Sequence, residues 1–185
     1  MSLAHDDPPF RMTLNEFVAF EAQSDWRHEL VDGVVYAMAG ETTEHNEIAG
    51  ALYVRLRDAA RRHGCRITFE SVLVSTKGRY GFYPDVMMSC ETAEHPRVET
   101  SPCLIVEVLS PSTARFDQTA KHSAYTQIDS MRAYLLVNGD RSNPGGELHT
   151  WAGYFWKRQI LQPDDVIELA CPEITFTLAE IYADS

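Results

Sequence analysis

The sequence predicts one α/β or α+β domain, a mixed β-sheet flanked by helices. Three observations lead there. The chain has 185 residues, 44% hydrophobic and 23% charged, enough for a single domain with its own core. Its periodicities run helix, hairpin, helix, several strands, helix, strands, an order that suits helices packed on a mixed sheet. Finally, Leu104 to Ser110 reads LIVEVLS, almost wholly apolar, as in a strand buried on both faces. No repeat, linker or low-complexity tract divides the chain. Residues 1–185 are expected to form one unit: an N-terminal helix and hairpin over 13–40, a core over 44–140, and C-terminal strands with a short helix over 146–182.

Each element has a local cause. Thr13 and Glu16 stand at capping-box spacing, and Leu14, Phe17 and Phe20 supply the apolar side of a helix over 13–22. Asp32-Gly33 lies between two apolar runs and predicts a tight hairpin, because a type I′ turn needs positive φ at both central residues. Residues 44–63 predict a helix with an apolar stripe of Ile48, Leu52, Leu56 and Ala59, stopped by Gly64. Strands are expected over 66–75 and 82–88, joined by the turn-like KGRYG, with a polar loop over 90–101. Pro111-Ser112-Thr113 ends the buried strand and caps a helix over 114–128, whose Phe116, Ala120, Ala124 and Ile128 should face the core. Strands over 131–137 and 147–157 follow, and Thr177 with Glu180 opens a terminal helix.

Bulk properties exclude several classes. No apolar run approaches the roughly 20 residues of a membrane span. The polar, acidic N-terminus does not read as a signal peptide, so the expected location is cytoplasmic. The four cysteines form no CxxC pair and have no His at zinc-ligand spacing, and all are expected to be reduced. The net charge of −11 is a poor overall signature for nucleic-acid binding. Yet Ala51 to Arg79 holds seven basic residues against Asp58 and Glu70, which reads equally as a basic face or as a solvated helix face.

Glu107 is the anomaly of LIVEVLS. An ionised carboxylate buried alone costs at least several kcal/mol, so a proton, an Arg or Lys, or a metal ion must compensate it. Asp85 follows Pro84 in a second apolar segment, and Lys121 sits on the next helix. If the two strands are neighbours, Asp85 and Glu107 converge at one end of the sheet. Two carboxylates suit a magnesium ion, and a nearby Lys stabilises charge on a phosphate. The plainer readings are a turn role for Asp85, a buried Glu107–Lys121 bridge, and a surface helix pair between Lys121 and Asp117.

YPDVMM, then SPCLIVEVLSPST, then FDQTAKHSAY and MRAYLLVN resemble the Uma-two branch of the PD-(D/E)xK nuclease superfamily. RHELVDGVVYAMAG, followed by a helix-opening His45, extends the likeness upstream, so it covers about Thr13 to Asn138. The resemblance implies a restriction-endonuclease-like fold and an endonuclease that hydrolyses DNA with Mg²⁺, or Mn²⁺ as a substitute. By it, Asp85 and Glu107 are the metal-binding acids. Lys121 is the lysine, supplied from the following helix because the usual position, two residues after the acid, holds Leu109. Glu29, His45 and Tyr125 match supporting positions near the site. The branch's usual Trp and final Asp are missing from Tyr134-Leu135-Leu136-Val137-Asn138, a departure that touches packing and a loop.

Two other readings stand beside this one: a non-catalytic nucleic-acid or protein-interaction module that keeps the nuclease fold, and a different hydrolase. No GxSxG elbow surrounds Ser110 or Ser112 to support the latter. His122 adjoins Lys121 but projects about 100° away on a helix; it and the remaining histidines, His5, His28, His63, His95 and His149, are read as surface or partly buried. Cutting both strands of a duplex calls for two sites, which points to a homodimer. The aromatic stretch Trp151 to Trp156 is its candidate interface or, equally, a core strand.

Overall fold

The computed structural model describes residues 11–111 and 113–185. His5 and the capping role of Ser112 lie outside the described residues. Helix α1 (Leu14–Glu21) begins with the expected Thr13–Glu16 capping box. Strands β1 (His28–Val31) and β2 (Val34–Ala37) form the expected hairpin, with Asp32 and Gly33 at φ of 51° and 83°. Helix α2 (Thr43–Arg62) buries Ile48, Leu52, Leu56 and Ala59 and is followed by Gly64 at φ 68°.

The next segment departs from expectation. Residues 66–75 are two strands, β3 (Arg66–Phe69) and β4 (Leu73–Thr76), which belong to different sheets. The chain breaks at Glu70, a non-glycine residue at φ 50°. Residues 82–88 divide likewise between β5 (Tyr80–Phe82) and β6 (Val86–Ser89). Lys77 and Gly78, both at positive φ, make the β4–β5 turn. A two-residue strand, β7 (Val98–Glu99), interrupts the expected loop by pairing with β4.

Strand β8 (Leu104–Leu109) is the buried LIVEVL run. Helix α3 follows in three joined parts: α-helical Ala114–Phe116, a π-helical turn Asp117–Lys121, and α-helical His122–Tyr125. The wider turn shifts the helix phase. Of the four residues expected to face the core, Ala124 and Ile128 are buried but Phe116 and Ala120 only half-buried, and Asp117, Lys121 and Tyr125 also point inward. Strand β9 (Ala133–Asn138) returns parallel to β8. The expected single strand over 147–157 is a hairpin of β10 (Gly146–Trp151) and β11 (Trp156–Leu161), with Trp151 opposite Trp156. Tyr154 and Phe155 are exposed at its tip, so this stretch is not a core strand. The hairpin of β12 (Val166–Ala170) and β13 (Glu173–Thr177) leads to α4 (Leu178–Asp184), which opens on the Thr177–Glu180 box.

The six-stranded sheet has the order β11-β10-β9-β8-β6-β3, with β8 and β9 parallel and the other pairs antiparallel. The five-stranded sheet runs β2-β1-β5-β4-β7. Side chains alternate across β8. Leu104, Val106 and Val108 pack in one core cluster with α2, β12, β13 and α4. Ile105 packs with Tyr125, Tyr134 and Phe82 in a second. Glu107 therefore shares the face of Ile105, under α3. This is a mixed α+β, restriction-endonuclease-like architecture. No helix among the described residues is long and apolar enough to cross a membrane.

The cysteines correct the expectation of four reduced thiols. Cys65 is bonded to Cys90 and Cys103 to Cys171. The partners are 25 and 68 residues apart in sequence; the β3–β6 pairing brings the first pair together, and packing of the β12–β13 hairpin against the large sheet brings the second. His149 is also more buried than expected. Its ring lies between Glu147 and His122, whose Nε2 is 3.1 Å from its Nδ1.

Candidate active site

Antiparallel register sets the first pair of acids. The β6–β8 ladder ends at Val86 opposite Val106, and one step further brings Asp85 beside Glu107. Asp85 is fastened there by Val108 N–H, which donates to its Oδ2 at 2.6 Å. The β8–α3–β9 crossover folds α3 back over the face that carries Glu107, and the π turn aims Lys121 at it.

Lys121 Nζ donates to Glu107 Oε1 at 3.2 Å and lies 3.1 Å from both Glu29 Oε1 and Asp117 Oδ1. Glu29 arrives from β1 in the other sheet and is buried, not solvent-facing. Tyr125 O–H donates to the same Glu107 oxygen at 3.0 Å. On the far side of Asp85, His45 Nε2 is 3.1 Å from Asp85 Oδ1, and His45 Nδ1 is 3.5 Å from Glu41 Oε2. His45 stands in the first turn of α2, where its N–H is capped by the Thr42 hydroxyl. All six residues singled out from sequence lie in one region: Asp85, Glu107, Lys121, Glu29 and His45 line the cleft, and Tyr125 is buried behind Glu107.

Sequence reasoning missed two participants. The plainer alternative, in which Asp117 and Lys121 form a surface helix pair, does not hold: both are buried, because the π turn rotates them inward. The i, i+4 spacing of Asp117 and Lys121 was the available signal. Glu70 comes from the break between β3 and β4, where its N–H donates to the Asp85 carbonyl. Ligand atoms of His45, Glu70 and Asp85 all lie within 4.8 Å of one another. No short-range pattern marks Glu70.

The electrostatics follow from burial and crowding. Burial pushes the Glu107 carboxyl well above the usual range; Asp117, Asp85 and Glu29 add to this, and Lys121 opposes it. Burial likewise raises Glu29 by more than Lys121 lowers it. For Lys121, burial acts against the charge, but Glu107, Glu29 and Asp117 outweigh it and hold the ammonium well above its ordinary value. For His45, burial also disfavours the charge, and Asp85 outweighs it with help from Glu41 and Glu70, so the imidazole is raised. Burial lifts the Tyr125 hydroxyl well above its normal value, which keeps it a donor.

The site opens into a cleft of about 1130 Å³, whose lining includes Trp26, Tyr36 and Met38. Among the described residues, eight carboxylates line it against two full cations, Arg27 and Lys121. At its floor, four buried carboxylates face one buried ammonium. That donor set of oxygens with one imidazole suits a small divalent cation such as Mg²⁺ or Mn²⁺.

The fold and this cluster place the chain in the restriction-endonuclease-like class. A crystal structure from Anabaena variabilis, described as a "putative nuclease belonging to DUF820", superposes with a TM-score of 0.73 over 94% of this chain and 98% of that one, at 14% identity. The chain belongs to the Uma2 family, described as "Putative restriction endonuclease", whose profile matches residues 14–179. Two similar proteins come from Synechocystis sp., both called uncharacterized. The protein slr1290 is 27% identical over 192 residues, 97% of each chain. The protein sll1609 is 30% identical over 133 residues, 69% of this chain and 75% of that one.

Proposed function

We propose that the chain is a divalent-cation-dependent endonuclease that hydrolyses phosphodiester bonds of DNA in the cleft above Asp85 and Glu107. The supporting observation is the pairing of those two carboxylates across adjacent strands, with Lys121 brought to them by the crossover helix. Asp85 and Glu107 would hold the cation, with His45 and Glu70 beside Asp85. Bound there, Mg²⁺ or Mn²⁺ supplies Lewis acidity toward a phosphodiester oxygen and lowers the pKa of water.

The chain's own groups do the rest. Lys121 is held charged by three carboxylates, so it acts as a fixed positive charge toward a phosphate, not as a base. Glu29 and Asp117 keep its ammonium in place when Glu107 serves as a ligand. Tyr125 fixes the orientation of Glu107 through its hydroxyl. Trp26 and Tyr36, both exposed at the cleft, offer faces on which bases stack.

The test is cleavage of supercoiled plasmid, linear duplex, single-stranded DNA and RNA by the purified chain. Nicking or cutting of DNA is expected with Mg²⁺ or Mn²⁺. It should vanish with a chelator and in folded Asp85→Asn and Glu107→Gln variants. No cleavage of any DNA under these conditions overturns the proposal.

The acidic charge of −11 favours a second reading, a non-catalytic module on the same fold. Calorimetry with Mn²⁺ separates the two, since the module shows no binding that depends on Asp85 and Glu107. Cutting both strands would be the work of a homodimer. The exposed Tyr154 and Phe155 at the β10–β11 tip are the surface proposed for it, checked by sedimentation of a Tyr154→Ser/Phe155→Ser variant.

A further inference from the structure

The two cysteine pairs are not independent of each other. Cys65 directly precedes β3 and Cys90 directly follows β6; the register Arg66 opposite Ser89 makes them the next cross-strand pair. Cys103 directly precedes β8, and its N–H donates to the Met88 carbonyl of β6. Cys171 directly follows β12, in the C-terminal hairpin. Three neighbouring strands and one hairpin thus deliver four sulfurs to one end of the sheet. Between the bonded pairs, Cys90 Sγ lies 3.7 Å from Cys103 Sγ and 3.5 Å from Cys171 Sγ.

That spacing has a chemical meaning. A tetrahedral Zn²⁺ with Zn–S bonds of about 2.3 Å separates its sulfurs by about 3.8 Å. The two contacts that Cys90 makes across the pairs already match this edge, the Sγ atoms of Cys90, Cys103 and Cys171 lie within 4.8 Å of one another, and Cys65 is tied to this group through its bond to Cys90. Reduction lets each bonded pair relax to the same distance. Two disulfides would staple the same segments without requiring the pairs to touch.

We propose that the four thiols, when reduced, form a tetrathiolate site for one Zn²⁺ ion that fastens the β12–β13 hairpin to the sheet. The disulfide state of this structure is the oxidised, metal-free form of that site. Two dithiol reductant molecules convert the two disulfides to four thiols and leave as two cyclic disulfides. Zinc binding then forms four Zn–S bonds and releases four protons. A four-sulfur set selects zinc over the hard cations suited to the carboxylate cleft. The cluster is remote from that cleft: Cys103 and Glu107 stand four residues apart on one strand, about 13 Å at strand rise. Cys103 is buried, Cys65 and Cys171 are half-buried, and Cys90 is exposed, which gives a metal ion or reductant an entry path.

The test uses the full chain, purified anaerobically with a dithiol and then desalted. Elemental analysis is expected to find about one zinc per chain, four sulfur ligands filling one tetrahedral site. Cys90→Ser and Cys171→Ser should each lose most of it. Titrating the reduced, metal-stripped wild type with Co²⁺ should produce a sulfur-to-cobalt charge-transfer band and tetrahedral ligand-field bands. Zn²⁺ should then bleach them and protect four thiols from alkylation. Among the described residues the carboxylate cleft is lined by no cysteine, its sulfur being the Met38 thioether, and it cannot give a thiolate-to-cobalt charge-transfer band, so this readout is independent of nuclease activity. The proposal is overturned if the reduced chain, with four thiols titrated, shows no such band. Zinc content unchanged in both variants, or iron found in place of zinc, overturns it equally.

Discussion

Replacing Lys121 by Met tests whether its ammonium compensates several buried carboxylates or only one. Met keeps most of the volume and removes the charge, leaving Glu29, Glu107 and Asp117 without the cation that lies 3.1–3.2 Å from each. Removing one partner of a buried pair costs about 3–5 kcal/mol, because the other charge stays buried and unpaired. Against a total stability of about 5–15 kcal/mol, that is a large fraction. With a urea slope of about 2 kcal/mol per molar, a loss of 4 kcal/mol moves the unfolding midpoint down by about 2 M. The pH dependence follows from the sign of the shifts. Glu107 and Glu29 are already raised in the folded chain, and losing Lys121 raises them further. A carboxyl raised on folding destabilises once pH is above its folded value, and the deficit is relieved as pH falls toward the unfolded value of 4.5. The midpoint gap between Lys121→Met and wild type, measured in chelator, should be widest near about pH 8 and narrower near about pH 5. Adding Glu107→Gln to the Lys121→Met background should return part of the loss. A gap near zero at both pH values, or one that widens on acidification, would refute the reasoning.

Two further outcomes bear on the frame around the site. A Cβ at Gly146 would overlap the carbonyl oxygen of Leu136, the β9 residue paired with Glu107, and backbone there cannot yield cheaply. Gly146→Ala should therefore cost about 1–3 kcal/mol, read as a lower urea midpoint, and should weaken Mn²⁺ binding at the cleft. Burial raises Glu147, but the hydrogen bonds from Arg158 and His149 outweigh it and hold the carboxyl below 4.5. Its stabilising effect is therefore present above that value and lost as pH falls through the folded one. Arg158 is largely exposed, so Glu147→Gln should cost about 1 kcal/mol or less at neutral pH. The cost should disappear in acid, as followed by thermal unfolding at several pH values.

Where sequence reading succeeded, the cause lay within a few residues. The Thr13–Glu16 and Thr177–Glu180 boxes, the Asp32-Gly33 turn and the α2 stripe each depend on near neighbours. The same holds for Glu107 as an anomaly, since a carboxylate inside an apolar strand demands a partner wherever the strand goes. The division of 66–75 was hidden because both halves look alike locally, and only their different sheet partners separate them. Asp117 was hidden because its spacing to Lys121 is that of an ordinary surface pair, and helix phase at that point is set by the π turn.

By itself, the sequence determined which residues need compensation or a cap: Glu107 in its apolar strand, Asp85 after its proline, Lys121 on the crossover helix. Tertiary structure alone decided what compensates them. Register set Asp85 beside Glu107, a second sheet brought Glu29, a backbone break brought Glu70, and four separated cysteines met at one sheet end. The physical reason is the range of each cause. Propensity and capping act within a turn or two, whereas a charge cluster is assembled by strand pairing and crossover packing across the whole chain.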